Sequence, residues 1–344
     1  AVARQGFLTQ SAAKFAEKMC AYACEDRFSN SKYGRYKMNN YSPEGTLIGT
    51  ADNQNSIKTI YALQEAMVQG KILEARTTVC DNDHNLIVDL PCAKGIIPHI
   101  EGAVGIEDGS TKDIALITKV NKPVCFKVMK INREADGGYT AVLSRRAVQE
   151  ECMENFISML RPGDIIPAKV THLEQFGAFV DIGCGIPSLV PIDAISISRI
   201  SHPSDRFTPY QDIKVIIKDV NNGRIWLSHK ELLGTWEENA SRFSYGETVS
   251  GIVRSVEDYG VFIELAPNLA GLAEPRDNVS VGQHASVYIK ALIPEKMKVK
   301  LIIVDVFDGM TADRSLKYFY NGDHISRWVY STPESGRLIE SVFD

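Results

Sequence analysis

Two pairs of aromatic residues in the second half of the chain share one spacing and could bind a planar ligand. Phe176 and Phe179 flank a Gly-Ala dipeptide, and Tyr259 and Phe262 flank a Gly-Val dipeptide. Aromatic rings on the exposed face of a β-strand stack on unpaired nucleobases, each contributing about 1–3 kcal/mol. The alternative is that these rings fill a core, as strand aromatics commonly do. The chemistry indicated is noncovalent recognition of bases, with a purely structural role as the alternative.

Basic residues near the two pairs are candidates for contacts with phosphate groups. Lys169 and Lys214 lie on predicted strands beside the first pair, and Arg254 and Lys298 lie on those beside the second. A lysine neutralises phosphate as a point charge, whereas an arginine can also bind it with two hydrogen bonds. Solvated lysines on a strand are commonplace, so a simple solvent-facing role stays open.

No motif for catalysis or metal binding accompanies these residues. The sequence lacks GxxxxGK[ST], HExxH and a paired Asp motif. Its seven cysteines form no CxxC pair and stand at positions 20, 24, 80, 92, 125, 152 and 184. We expect reduced, mostly buried thiols, with Cys20 and Cys24 making only half a metal site. The sequence therefore predicts a protein that is not an enzyme and needs no metal or cofactor.

The composition is that of an ordinary soluble protein with more than one domain. The chain has 344 residues, of which 44% are hydrophobic and 24% are charged, so two or three domains are expected. No run approaches the roughly 18 apolar residues of a membrane helix, and the N-terminus lacks a signal-peptide pattern. We therefore expect a cytoplasmic protein. Its formal net charge of −5 means that any nucleic-acid affinity must come from local placement of cations and from stacking.

An internal repeat determines which elements carry the candidate residues. At one constant offset, Gly163 aligns with Gly246, Val170 with Val253, Phe176 with Tyr259, Gly177 with Gly260, and Phe179 with Phe262. A weaker copy precedes them, in which Asp89 takes the place of Asp181. Within each copy, runs of Val, Ile, Phe and Thr alternate with polar residues, which indicates short β-strands. In the second copy, Asn221-Asn-Gly is a hairpin signal between the last two strands.

Five short strands cannot bury both faces as an open sheet, so closure into a small barrel of the OB type is expected. The predicted fold is mainly β, with tandem five-stranded OB-fold β-barrels and a partly helical N-terminal extension. The predicted domains are an extension over residues 1–66, a degenerate first barrel over 67–150, a second barrel over 158–232, a third barrel over 243–304 and a tail over 305–344. The tail is expected either to fold against the third barrel or to self-associate.

Four segments of the second copy resemble one known family. They are Glu174-Gln-Phe-Gly-Ala-Phe-Val-Asp-Ile-Gly, His202-Pro-Ser, Asp219 through Arg224, and Leu227-Ser-His-Lys-Glu-Leu. Together they are similar to the RNA-binding domain named after bacterial ribosomal protein S-one. The connection Leu232-Leu-Gly-Thr-Trp-Glu-Glu resembles the tryptophan-containing linker between such domains in that ribosomal protein family.

The resemblance implies roles for residues outside the aromatic pairs. It implies that Arg224 reaches the RNA backbone with help from Asp219, where an ion pair between the two is the alternative. It implies that His202 binds a base or phosphate, or instead caps a short helix. It also implies a β-bulge at Gly177, because three-residue spacing on a regular strand would put Phe176 and its partner on opposite faces.

The chain departs from the family pattern at several positions. Pro191 stands where many members carry a platform histidine, and Glu274, which would repel phosphate, takes that position in the third copy. The first copy has His84 and Ile87 in place of the aromatic pair, and Lys130 in the place that Asp219 takes in the second copy. RNA binding is therefore expected to rank second barrel, third barrel, first barrel.

The function implied by the resemblance is non-catalytic binding of single-stranded RNA, specifically messenger RNA at the small ribosomal subunit in bacterial translation. The alternative is an RNA-processing or RNA-regulatory factor that acts off the ribosome. A ribonuclease is less favoured, although domains of this type also occur in such enzymes. The expected partners are RNA and the small ribosomal subunit, with no membrane, and no oligomeric state is predicted.

Overall fold

The computed structural model describes residues 41–221, 224–308 and 316–343. The predicted N-terminal helix, the Cys20 and Cys24 pair, and two residues of the predicted Asn-Asn-Gly turn lie outside these ranges. In the part of the chain that is described, no helix is long and apolar enough to cross a membrane.

The described chain divides into two compact units. The first contains residues 41–160, the segment 181–187 and residues 220, 221 and 224, and the second contains residues 161–180, 188–219 and the described residues from 225 onward.

The first unit contains a closed five-stranded barrel preceded by two helices. Its elements are α1 (Ala51–Lys58), α2 (Ile60–Val68), β1 (Leu73–Cys80), β2 (Leu86–Leu90), β3 (Ala93–Ile97), a 3-10 turn (His99–Glu101), α3 (Ile114–Ile117), β4 (Pro123–Arg133), β5 (Tyr139–Ser144), α4 (Arg146–Asn155) and a 3-10 turn (Ile157–Met159). Both early helices begin at threonine caps, Thr50 and Thr59, whose hydroxyls accept backbone N–H groups. Along β2, alternate side chains are buried inside the barrel, which is the period of a strand with one face on a core.

A buried polar cluster lies in the same unit. Glu44 accepts hydrogen bonds from Arg145 at 2.6 Å and from Lys119 at 2.7 Å. Burial opposes ionisation of Glu44, but these two cations outweigh it and hold the pKa of the carboxyl well below its usual range. Asp181 accepts the backbone N–H of Glu44 at 2.8 Å, and burial raises the pKa of this aspartate. The paired charges explain why Glu44 can be buried at all.

The second barrel contains the five strands expected from the sequence. Its elements are β6 (Ile165–Glu174), β7 (Gly177–Asp181), β8 (Pro187–Pro191), 3-10 turns (Ile192–Ala194 and Pro203–Asp205), β9 (Asp212–Asn221) and β10 (Arg224–Ser228). The third barrel contains β11 (Thr248–Glu257), β12 (Gly260–Ala266), β13 (Leu269–Ala273), β14 (His284–Ile293), a 3-10 turn (Pro294–Lys296) and β15 (Lys298–Phe307).

All three barrels have the same strand order. Counting strands within each barrel, the neighbours run first, second, third, fifth, fourth, and the circle closes. The third and fifth strands are parallel and the other pairs for which a register is resolved are antiparallel. This is the topology of a small Greek-key barrel of the OB type, so the predicted fold class is confirmed.

A short connection joins the second and third barrels within the second unit. It consists of a 3-10 turn (Lys230–Leu233) and helix α5 (Trp236–Ala240), which begins at a capping box formed by Thr235 and Glu238. Trp236 is 3% exposed and lies in the same buried cluster as third-barrel residues such as Val253. The predicted tryptophan linker is therefore a packed element that holds its tryptophan in a core.

The C-terminal segment folds against the second unit. It contains β16 (Arg327–Val329) and β17 (Glu340–Val342), which pair as an antiparallel hairpin. Trp328, Tyr330 and Phe343 are buried in the cluster that contains the core of the third barrel. The backbone N–H of Ile325 donates to Gly163 O at 2.8 Å at the start of the second barrel. The described residues of the tail therefore fold against the third barrel, which is one of the two expectations for this segment.

The cysteines of the described residues are all free thiols. Cys125, Cys152 and Cys184 are buried, while Cys80 and Cys92 are partly exposed. Burial raises the pKa of the Cys125 thiol well above its ordinary value. Burial of three of these five thiols agrees with the expectation of mostly buried cysteines.

Candidate nucleic-acid interface

The aromatic pair of the second barrel lies on the outer surface. Phe176 is 47% exposed and occupies the turn that precedes β7, while Phe179 is half-buried on β7 itself. The two rings meet edge to face, with centroids 5.9 Å apart and planes at 87°. Because Phe176 precedes the first residue of the strand, the alternation of strand side chains does not apply to it. Its place in the turn accounts for both rings reaching one surface, which the resemblance had attributed to a bulge.

Gly177, between the two rings, allows β8 to approach closely. A Cβ atom at this position would lie 2.5 Å from Val190 O, well inside van der Waals contact. The equivalent Gly260 in the third barrel has the same constraint, because its Cβ would lie 2.4 Å from Ala273 O. The aromatic-Gly pattern thus combines an exposed ring with a position that only glycine fits.

His172 on β6 adds a third ring that the sequence did not predict as a site residue. Its ring stacks with that of Phe179 at a centroid distance of 6.3 Å and an interplanar angle of 28°. The imidazole is exposed and lies 2.7 Å from Glu174. Histidine on the outward side of a strand next to the aromatic pair was the available signal. It was missed because one exposed histidine is common on any surface.

The short helix that the resemblance implied begins at His202. Its Nδ1 accepts the backbone N–H of Ser204 at 3.1 Å, and the Asp205 carboxylate accepts the backbone N–H of His202 at 3.3 Å. These bonds form a capping box around the 3-10 turn. With Nδ1 accepting, the proton of a neutral ring lies on Nε2, which can donate to a ligand.

The two lysines predicted for the second barrel have partners within the protein. Lys169 Nζ lies 2.6 Å from Asp212, and the lysine side chain is 16% exposed. Lys214 Nζ lies 5.7 Å from the centre of the Tyr318 ring, and its backbone N–H donates to the hydroxyl of that tyrosine at 3.0 Å. Both charges are therefore engaged before any ligand arrives.

Asp219 and Arg224 lie at the ends of the last two strands of the second barrel. Asp219 is near the end of β9, Arg224 is the first residue of β10, and both are exposed. A guanidinium at this position is accessible to phosphate.

The third barrel repeats the aromatic geometry. Tyr259 is 65% exposed in the turn before β12, and Phe262 is half-buried on that strand. Their ring centroids are 6.1 Å apart with planes at 86°. Lys298 is exposed at the start of β15. Glu274, expected to repel phosphate, is exposed and lies 3.4 Å from Lys290, which offsets its charge.

Arg254 is placed differently from the other candidates. Its side chain is 8% exposed, and it lies 2.8 Å from Glu264 and 3.3 Å from Asp205. The pairing register of β11 with β12 shifts between Val253 and Ser255, so Arg254 sits at a β-bulge. Burial opposes ionisation of Glu264, but the two arginines around it, Arg206 and Arg254, keep its pKa below the usual value. The structure thus gives Arg254 a role in the joint between two barrels.

The first barrel lacks this surface. His84 has a positive φ of 61° and its ring lies 5.6 Å from that of His99. Ile87 is half-buried on β2, and Lys130 is exposed on β4. His84 and Ile87, which occupy the two aromatic positions, therefore do not form an exposed pair of rings.

The second barrel also exposes an aromatic residue that the sequence analysis did not select. Trp226 on β10 is 43% exposed, whereas the other two tryptophans, Trp236 and Trp328, are 3% and 7% exposed. Residues along β10 alternate between exposed and less exposed from Arg224, but this alternation is seen only in the structure. A strand tryptophan is usually assigned to a core, which hid it.

Fold and surface together define a class of protein with tandem OB barrels that carry exposed aromatic pairs. Residues 160–230 match the family model described as S1 RNA binding domain. Over 265 residues the chain is 31% identical to "Small ribosomal subunit protein bS1" of Staphylococcus aureus (strain COL), covering 72% of this chain and 64% of the relative. The chain is homologous to bacterial ribosomal protein bS1, which confirms the resemblance.

Other relatives give the same result over smaller shares. The protein of the same name from Rickettsia conorii is 30% identical over 234 residues, covering 61% of this chain and 40% of the relative. The chain thus spans less than two thirds of the length of these curated relatives. Among solved structures, a multidomain protein with nucleic acid binding domains from Streptococcus pneumoniae is 13% identical, covers 71% of this chain and 76% of that chain, and has a TM-score of 0.23.

Proposed function

We propose that the protein binds single-stranded RNA without cleaving it, and that its ligand is messenger RNA at the small ribosomal subunit. The observation that carries the proposal is the repeated aromatic pair, with ring centroids 5.9 Å apart in the second barrel and 6.1 Å apart in the third. In both barrels the first ring of the pair is exposed, so its face can stack on a base. The second-barrel pair lies within the segment that matches the S1 RNA binding domain.

The residues take distinct roles in this proposal. Phe176 and Phe179 stack on bases, Arg224 binds phosphate, and the Nε2 of His202 donates a hydrogen bond to the RNA. Tyr259 and Phe262 form a second stacking site with Lys298 as its cation. Lys169 and Lys214 contribute little, because each already has a partner within the protein.

The ribosomal part of the proposal rests on the homology to proteins named as small ribosomal subunit components. It is tested by sedimenting the purified chain with small ribosomal subunits, with and without messenger RNA. Cosedimentation that persists when messenger RNA is left out supports docking on the subunit. A chain that binds RNA yet never cosediments would instead be the RNA-regulatory factor acting off the ribosome.

RNA binding itself is tested by fluorescence anisotropy of a labelled single-stranded oligoribonucleotide. The proposal predicts saturable binding of this oligoribonucleotide. An affinity for single-stranded RNA that is no higher than the affinity for duplex RNA would contradict it. Incubating the same RNA with the protein and Mg²⁺ tests the enzymatic alternative. Shortening of the RNA would show that the chain is a nuclease.

A further inference from the structure

We propose that one position on the fifth strand of each barrel sets how that barrel binds RNA: Trp226 stacks on a further base in the second barrel, and Lys300 binds phosphate in the third. The inference rests on the proposed RNA-binding function and extends it to residues outside the aromatic pairs. It follows from the strand register of the third barrel, which places Lys300 in the same row as Phe262, and from matching contacts in the second barrel, which give Trp226 the equivalent position.

The row is fully resolved in the third barrel. Phe262 on β12 pairs with Leu272 on β13, and Leu272 pairs with Lys300 on β15. Side chains of directly opposed residues on neighbouring strands point to the same face of a sheet. Lys300 is exposed and follows Lys298 by two residues, so both lysines are on the outer face.

The second barrel has the same row with different side chains. Leu189 on β8 pairs with Trp226 on β10. A Cβ on Gly177 would touch the Leu189 side chain at 3.0 Å, as one on Gly260 would touch Leu272 at 2.8 Å. Leu189 therefore occupies the position of Leu272, and Trp226 occupies that of Lys300.

Trp226 lies two strand spacings from Phe179, a distance of about 10 Å. Its ring extends the aromatic surface away from the Phe176 turn and along the direction in which the strands pair. An indole with 43% of its surface exposed on this face offers a stacking site for a base beyond those held by the pair.

The first barrel supplies the contrast within the same chain. Ile87 on β2 pairs with Ile96 on β3, and Ile96 pairs with Val142 on β5. This row has neither an aromatic ring nor a charge, which matches the absence of an aromatic pair in that barrel. The residue at the fifth-strand position thus changes together with the residues at the two aromatic-pair positions.

Intrinsic fluorescence tests the role of Trp226 directly, because it is the one exposed residue among the three tryptophans of the sequence. Unlabelled single-stranded RNA added to the full chain should quench the emission and protect it from acrylamide. The same titration with Trp226→Phe should lose the signal while keeping most of the affinity, since a phenyl ring also stacks. Trp226→Thr, which keeps a strand-forming residue, should weaken binding by about 5- to 150-fold.

Lys300→Ala should lower the slope of log affinity against log salt by about 0.7, measured in a chain that carries the Phe176→Ala and Phe179→Ala changes so that the third barrel dominates. Val142→Ala is the matched control and should change neither affinity nor slope. If RNA binds by anisotropy while Trp226 emission and the affinity of Trp226→Thr stay unchanged, the inference is wrong and the proposed function stands. If the unaltered chain binds no RNA, both are wrong.

Discussion

The ring of Phe176 meets the ring of Phe179 edge to face, at a centroid distance of 5.9 Å. Such a contact is worth about 0.5–1.5 kcal/mol beyond the area that it buries, so each ring restrains the other before RNA arrives. A preformed pair loses less side-chain entropy on binding than two independent rings would. The same arrangement of Tyr259 and Phe262 shows that the geometry belongs to the repeat.

Replacing both Phe176 and Phe179 by alanine is expected to weaken RNA binding by about 2–5 kcal/mol, because two stacking contacts are lost and the losses are not fully additive. The Tyr259→Ala and Phe262→Ala double variant should lose less. The His84→Ala and Ile87→Ala variant is the control and should bind as the unaltered chain does. Anisotropy titrations give the affinities, with circular dichroism to confirm folding. Loss of affinity in the control alone would reverse the assignment of roles.

Salt dependence of binding should be shallow. The cations of Lys169 and Lys214 are engaged by Asp212 and by the Tyr318 ring, and that of Arg254 is engaged by Glu264 and Asp205, so few are available to phosphate. Each phosphate contact contributes about −0.7 to the slope of log affinity against log salt for single strands. A measured slope steeper than about −5.6, which corresponds to eight contacts, would contradict this prediction.

Arg254 and Lys298 should behave as opposites. Arg254→Ala is expected to lower the free energy of unfolding by about 1–3 kcal/mol, because buried Glu264 loses one of its two guanidinium partners. Lys298→Ala should leave stability unchanged and reduce the salt slope of RNA binding by about 0.7. Urea denaturation and salt titrations of both variants check this pair. If Arg254→Ala leaves the free energy of unfolding unchanged and reduces the salt slope of RNA binding, Arg254 would instead be a residue of the RNA-binding surface.

Stability of the second unit should fall between pH 6.5 and pH 4 because of His229. Its Nδ1–H donates to Ile195 O at 2.9 Å, and burial, aided by the charge of Arg206, lowers the pKa of the imidazole to about 4. Its Nε2 faces the hydroxyl of Tyr318 at 3.4 Å. The unfolded chain binds a proton below its ordinary pKa of about 6.5 while the folded chain does not, so acid favours unfolding by about 3 kcal/mol over the window.

The control for this pH effect is His229→Asn, which keeps a side-chain donor but does not titrate. Urea midpoints at pH 7 and pH 4.5 should converge for the variant more than for the unaltered chain. Carboxyl groups that titrate in the same range shift both proteins equally, so the difference isolates the histidine. Equal acid sensitivity of the two proteins would rule out His229 as the cause.

Gly177→Ala should destabilise the second barrel and weaken RNA binding together. The added Cβ would lie 2.5 Å from Val190 O, so β7 and β8 must separate and the Phe176 turn must move. Gly336→Ala is the matched control, because nothing lies within 4 Å of a Cβ at that position. Thermal unfolding and anisotropy measure the two effects. An unaltered melting temperature for Gly177→Ala would show that the strands do not require this close approach.

The fold could be predicted from the sequence because the repeat carries its own register. Once Gly177 and Gly260 are aligned, the strands on either side follow from alternation and from the turn residues between them. The aromatic pairs are part of the same pattern, so they were identified along with the barrels. The common surface of Phe176 and Phe179 needed the structure, since only the start of β7 shows that one of them lies in a turn.

The positions that could not be predicted depend on contacts between distant parts of the chain. Arg254 looks like any outward cation on a strand until Glu264 and Asp205 are seen beside it. Trp226 reads as a core residue because its exposure depends on which face of β10 turns inward. Both cases depend on tertiary packing, for which local periodicity gives no signal.

The burial of Phe343, Trp328 and Tyr330 with residues of the third barrel has a consequence for synthesis of the protein. The contact of His324 with Asp164 joins positions 160 residues apart, so the second unit contains partners that the ribosome makes far apart in time. Chains grow at about 5–20 residues per second and domains fold as they emerge. The hydrophobic side chains around Trp236 therefore stay exposed to solvent for several seconds, until the C-terminal segment that contains Trp328 has been synthesised. That interval is when a nascent chain of this protein is most exposed to aggregation.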